Sequence, residues 1–149
     1  MPTVECGFLN TGNSGLSPSA TLARIGPTIW VTIEAYPNPA PTGSGIIQHL
    51  PALIDTGASL SCIDDLLAQQ LNLQVVDQWT TSGISGAAKL DVYLAQITIP
   101  SLAVRQSGRF AGVHLQAGGQ AHRALIGRSL LAGCTLVYDG KSGSVQLIR

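Results

Sequence analysis

The chain has 149 residues, of which 45% are apolar and only 11% charged, and its formal net charge at pH 7 is zero. This length suits one domain with a real hydrophobic core. The sparse, balanced charge excludes a nucleic-acid surface, an acidic tail and a disordered solvating segment. We find neither a secretory signal nor an apolar run long enough to cross a bilayer, and expect a cytoplasmic protein with no nucleic-acid or membrane partner.

The predicted elements begin after an arm. Residues 1–25 are rich in Gly, Ser, Asn and Thr, and we predict an arm with at most one short strand there, followed by a domain over residues 26–149. Residues 28–36 are β-branched and aromatic, so they predict a strand that the proline-rich residues 37–43 end. Residues 46–54 resume the extended pattern, antiparallel to the first strand if the two form a hairpin, and they place Asp55 where strand becomes turn.

The rest of the chain predicts further strands and one or two short helices. Asp64 and Asp65 suit the start of a helix over residues 64–71. Glycines of the sequence Gly83-Ile84-Ser85-Gly86 permit the positive φ values of a hairpin tip between strands 75–82 and 87–99. Later segments are predicted from the same signals: extended residues 103–105 and 110–115, a strand, glycine and short helix over 124–131, and a closing hairpin of 135–138 and 144–148.

Asp55 is an unusual place for a charge. It follows Leu53 and Ile54 directly and is itself followed by Thr56 and Gly57. An unpaired carboxylate among apolar side chains is costly to desolvate. The pattern therefore favours a catalytic or strongly hydrogen-bonded aspartate.

Three motifs together resemble the retropepsin-like aspartic peptidases: apolar-apolar-Asp-Thr-Gly-Ala at residues 53–58, the glycine-rich tip at 83–86, and Leu-Ile-Gly-Arg at 125–128. Asp-Thr-Gly alone is weak, because Asp-x-Gly turns are common in β proteins. The order and approximate spacing of all three carry the resemblance. It implies an all-β fold, a closed retropepsin-like (acid protease) barrel with a flap hairpin, and an aspartic endopeptidase without a cofactor.

The resemblance also implies a homodimer acting on a peptide or protein. Hydrolysing an amide needs a base and an acid, which two carboxylates sharing one proton provide. The chain has one Asp-Thr-Gly motif and no internal repeat, so the second carboxylate is expected from Asp55 of another subunit.

Residues around Asp55 take supporting roles by the same resemblance. In the family the Thr56 hydroxyl bonds across the dyad to the partner's main chain, and Gly57 lets the backbone approach the carboxylates. Ala58 stands where pepsin-like relatives often carry Ser or Thr. Because it cannot donate a hydroxyl bond to an ionised aspartate, we expect an optimum less acidic than that of pepsin-like enzymes.

The other two motifs give further expectations. Gly83, Ile84, Ser85 and Gly86 resemble a flap tip that closes over peptide, with Ile84 touching the substrate; an ordinary surface hairpin is the alternative. Gly127 and Arg128 resemble the segment that packs behind the catalytic turn. Retroviral members pair this arginine with an acid at a position that is Ser59 here, which leaves the partner of Arg128 open. Asp77 and Asp64 are candidates.

Other readings stay open. The fold could serve as an inactive dimerisation or peptide-binding module, or the arm could be a pro-segment removed by self-cleavage. His49, His114 and His122 lack ligand spacing, so we interpret them as surface or satisfied core residues and predict no metal. The cysteines at positions 6, 62 and 134 predict free thiols, with Cys62 a buried small hydrophobe, and Trp30 and Trp79 predict core or edge aromatics.

Overall fold

A computed structural model describes residues 2–5, 15–37 and 46–149. In chain order its elements are β1 (Thr3–Glu5), α1 (Pro18–Ile25), β2 (Thr28–Ala35), β3 (Ile46–Ile54), β4 (Cys62–Asp64), α2 (Asp65–Gln70), β5 (Val75–Gly83), β6 (Gly86–Ile99), a 3₁₀ turn (Pro100–Leu102), β7 (Val104–Val113), β8 (Ala124–Ile126), α3 (Arg128–Leu131), β9 (Thr135–Asp139) and β10 (Ser144–Ile148). Among the helices described, none is both long and apolar enough to span a bilayer.

Six strands close into a barrel. They are hydrogen-bonded in the order β2-β3-β8-β4-β7-β6, and pairing of β6 with β2 completes the ring, while β5 adds to β6 outside it. The β3–β8 and β4–β7 pairs are parallel, and the other pairs are antiparallel. The predicted all-β fold and closed barrel are confirmed.

Alternating burial along the strands builds the core. In β2 the side chains of Ile29, Val31 and Ile33 are at most 1% exposed, and they alternate with partly exposed neighbours. Such alternation is what a strand with one face on the core requires. The barrel interior also receives Leu22 from α1 and Leu67 from α2, so both helices are packed against it.

Most predicted elements are confirmed, with three corrections. Strand β4 was not predicted, because Ile63 and Asp64 also fit the pattern of the helix that comes after it. Helix α1 was not predicted, because Ser17 and Pro18 suggest a break; Ser17 is instead the N-cap, accepting a bond from Ala20 N, and Pro18 occupies the first turn. Residues 104–113 form one continuous strand rather than two short runs, since the polar residues between them continue the ladder with β6. Most of the proline-rich stretch and Cys6 lie outside the described residues.

A second, three-stranded sheet joins the two ends of the chain in the order β1-β10-β9. Helix α1 packs against its hairpin: Ser19 Oγ donates to Gly140 O at 2.5 Å, and a Cβ at Gly143 would lie 2.2 Å from the Pro18 carbonyl carbon. The described part of the N-terminal arm therefore contacts the C-terminal hairpin. The boundary at residue 25 stays a prediction.

Candidate active site

Asp55 stands at the end of β3 on a turn held by short hydrogen bonds. Its N–H donates to Ile126 O at 2.9 Å, which anchors the turn to the parallel strand β8. One carboxylate oxygen, Oδ1, accepts from Gly57 N at 2.9 Å, and Ala58 N donates to Asp55 O at 3.2 Å. The side chain is partly exposed, so one end of the carboxylate is fixed while the residue remains accessible.

A side chain would be crowded at both Gly57 and Gly127, and neither residue has a positive φ. A Cβ at Gly57 would come within 3.1 Å of Asp55 Oδ1, and one at Gly127 within 2.5 Å of Leu60 O. Gly127 N also donates to the buried Ser61 Oγ at 3.0 Å. Only glycine lets the end of β8 approach the turn after Asp55 this closely.

Helix α3 starts against the same turn, which brings the first and third motifs together. Arg128 N donates to Ala58 O at 2.9 Å and Ser129 N to Ser59 O at 3.1 Å. The Arg128 guanidinium donates to Thr56 O at 2.7 Å. The open question about its partner is thereby answered by a backbone carbonyl.

Both carboxylates considered for Arg128 are engaged elsewhere, so those alternatives are wrong. Asp77 lies 3.4 Å from Arg109 on the surface. Asp64 is completely buried and lies 3.1 Å from Arg123. It also accepts N–H bonds from Leu67, Leu115 and Gln116. The role of Asp64 as the N-cap of α2 could be predicted from the sequence. Its ion pair with Arg123, which is distant in the chain, could not.

A cavity of about 540 Å³ lies between the turn that carries Asp55 and the hairpin β5–β6. On the turn side it is lined by residues 57–60, and on the hairpin side by Trp79 and Leu90, which face each other across the strands. None of the described residues that line it is charged. Trp79 lies on β5, the edge strand of this sheet, so its interpretation as an edge aromatic is confirmed, and the structure adds that it lines the cleft. Counting strand pairs back from the tip at Gly83 and Gly86 places Trp79 opposite Leu90, so the sequence could have indicated this position in the cleft.

Cys62 also lines this cleft and is half-buried rather than fully buried. Burial, and to a lesser degree the negative charge of Asp55, raises the pKa of its thiol. A raised pKa keeps the sulfur protonated, which is the opposite of what a thiol nucleophile requires.

The predicted flap tip is the end of the hairpin β5–β6. Gly83 pairs with Gly86, and Ile84 between them is fully exposed. Among these four residues Gly86 alone adopts a positive φ, 101°, which is the conformation that glycine permits at a hairpin tip.

Histidines lie apart from this site. His122 is a satisfied core residue as interpreted: its Nε2 is 2.8 Å from Thr28 Oγ1, and burial lowers its pKa. His49 stacks on Trp30 with ring centroids 4.4 Å apart, and His114 is exposed. Within residues 2–5, 15–37 and 46–149, no group of three or more His, Cys, Asp or Glu side chains could hold a metal ion.

Comparison with known protein families identifies the class of protein to which this barrel and the turn that carries Asp55 belong. A family model described as aspartyl protease matches residues 43–130, more than half of the chain. The chain belongs to this family, and its predicted retropepsin-like character is confirmed. It is also similar to the solution structure of the simian foamy virus (mac) protease, with 15% identity and a TM-score of 0.45, over 70% of this chain and 91% of that chain. No curated protein matches the sequence.

Proposed function

We propose that this chain is an aspartic endopeptidase whose dyad consists of two Asp55 carboxylates, one from each subunit of a homodimer. The observation that carries the proposal is the presentation of Asp55, partly exposed on a turn tied to β8 and α3 by backbone hydrogen bonds. A rigid, accessible carboxylate at the mouth of an uncharged cleft suits acid–base chemistry. A single carboxylate cannot act as base and acid at once, which is why a second subunit is needed.

In the proposed mechanism the two carboxylates hold one proton between them. The ionised carboxylate takes a proton from water as the water oxygen attacks the peptide carbonyl carbon. The protonated carboxylate gives its proton to the carbonyl oxygen. The carboxyl group that took the water proton then gives it to the amide nitrogen, and a hydroxyl of the tetrahedral diol returns a proton to the other carboxylate as the C–N bond breaks. The products are a carboxylic acid and an amine, and the dyad again holds one proton.

Neighbouring residues support this chemistry in defined ways. Gly57 N–H fixes Asp55 Oδ1, which leaves Oδ2 for water or the partner carboxylate. Arg128 donates to the Thr56 carbonyl, which supports the proposal that the Thr56 hydroxyl bonds to the partner's main chain across the dyad. We propose that Gly83, Ile84, Ser85 and Gly86 close over the peptide and that Ile84 contacts it. Trp79 and Leu90 favour an apolar substrate side chain in the cleft.

The test replaces Asp55 with Asn. We expect the variant to remain a folded dimer in analytical ultracentrifugation and to cleave no member of a peptide library between about pH 4 and 6. Asp77→Asn is the matched control, because it neutralises an exposed carboxylate outside the cleft and should retain cleavage. Turnover by purified Asp55→Asn protein would refute the proposal, as would a wild-type protein that stays monomeric with substrate.

The same peptide library, assayed with the wild type from about pH 2 to about pH 7, checks the contribution of Ala58. We expect the cleavage rate to pass through its maximum in mildly acidic solution. A rate that still rises below about pH 3 would contradict this. A wild-type dimer that binds peptides but cleaves none would favour the inactive-module alternative.

A further inference from the structure

Two buried polar atoms lack hydrogen-bond partners within the described part of the chain. They are Gln106 Oε1 at the start of β7 and Ser129 Oγ on α3. Both residues line the same cavity of about 390 Å³, which lies between these elements and the loop before β9. A buried polar atom without a partner is destabilising, so two in one cavity indicate that a polar molecule belongs there.

The cavity is also cationic. Arg105 and Arg149 line it, and none of the described residues around it is acidic. Arg149 is held in place because its Nη1 donates to Leu102 O at 3.2 Å and Ala103 O at 2.8 Å. Arg105 makes no ion pair with any residue that the structure describes, so its charge is available. The lining of the cavity therefore includes two arginine residues together with the unpartnered Ser129 hydroxyl and Gln106 amide oxygen.

We infer that this cavity binds a small organic carboxylate that carries an N–H or O–H donor beside the carboxylate group. Guanidinium groups suit the carboxylate oxygens, and the Ser129 hydroxyl can donate to one of them. Gln106 Oε1 is an acceptor and cannot be satisfied by an anion alone, which is why the ligand needs its own donor. The C-terminal residue of a peptide and a free hydroxy acid share this chemistry. The cavity shares no lining residue with the cleft beside Asp55, so it is a separate site.

The test is an NMR titration of the ¹⁵N-labelled full-length chain with N-acetylalanine. We expect saturable shifts at residues 104–106 and 129–134, with a Kd of about 1 mM for so small a ligand. N-acetylalanine methylamide lacks the carboxylate and propionate lacks the donor, so each should bind about tenfold more weakly. Lactate, titrated in parallel, distinguishes a free hydroxy acid from a peptide end by which probe binds more tightly. Asp55→Asn protein should give the same Kd, because binding here does not depend on peptide cleavage.

Substitutions test whether the side chains of Ser129 and Arg105 cause the chemical-shift changes. Ser129→Ala and Arg105→Gln should each weaken N-acetylalanine binding by about tenfold. Arg109→Gln, an exposed arginine on the same strand outside the cavity, should leave the Kd unchanged. Ser129→Ala should not lower the melting temperature, since its hydroxyl has no partner to lose. The inference is overturned if no saturable shifts occur at the cavity, because it then holds only water, or if Ser129→Ala and Arg105→Gln bind as tightly as the wild type.

Discussion

His122 is a buried side chain through which pH acts on the fold. It is only 3% exposed, and burial lowers its pKa from the ordinary value of 6.5. The folded chain therefore binds a proton at this site less readily than the unfolded chain does. The stability that depends on neutral His122 is fully present above about pH 6.5 and is lost as the pH falls below that value.

We expect the free energy of unfolding to decrease by at most about 1.4 kcal/mol per pH unit from this residue below pH 6.5. Urea denaturation at several pH values between 7.5 and 5 measures the slope. His122→Gln should flatten it, whereas His114→Gln, which removes an exposed histidine, should not. Equal slopes in the wild type and His122→Gln would contradict the prediction. The acidic activity proposed above falls in the pH range where protonation of His122 begins to weaken the fold.

At the scale of elements, we expect changes at the tip of the hairpin β5–β6, the proposed flap, to leave the stability of the barrel unchanged. Ile84 is fully exposed, so its replacement removes no packing that the fold depends on. We expect Ile84→Asn to leave the melting temperature unchanged and to lower kcat/KM by about tenfold, because an apolar contact with substrate is lost. Val75→Asn is the control for both measurements, because it alters an exposed residue at the start of β5, the strand that leads to Ile84. An unchanged kcat/KM in Ile84→Asn would exclude a substrate contact.

Elements with strong local signals were the predictable ones. The strands of residues 28–36 and 46–54 carry β-branched alternation, and the turn at Asp55 follows from them. Helix α1 was missed because Ser and Pro mark both breaks and helix starts, and only the packing of Leu22 decides between these. The partner of Arg128 could not be predicted, since it is a backbone carbonyl brought close by the tertiary fold.

At the scale of the whole molecule, the N-terminal and C-terminal segments pack together, which bears on the idea that the arm is a removable pro-segment. Strand β1 pairs with β10, α1 packs on the turn at Gly143, and Leu22 is 1% exposed in the core. A segment that fills the core cannot leave without opening a cavity. These contacts favour an arm that stays in the mature fold.

Leu22→Ala tests this in the full chain. We expect it to lower the free energy of unfolding by about 2–5 kcal/mol, because a buried leucine is replaced by a cavity. Leu66→Ala on α2, where the side chain is 43% exposed, should change it by no more than about 0.5 kcal/mol. Mass spectrometry after incubation at acidic pH should show residues 15–25 still attached to the folded protein. A stable, active product that begins near residue 26, together with a Leu22→Ala variant as stable as the wild type, would instead establish the arm as a pro-segment.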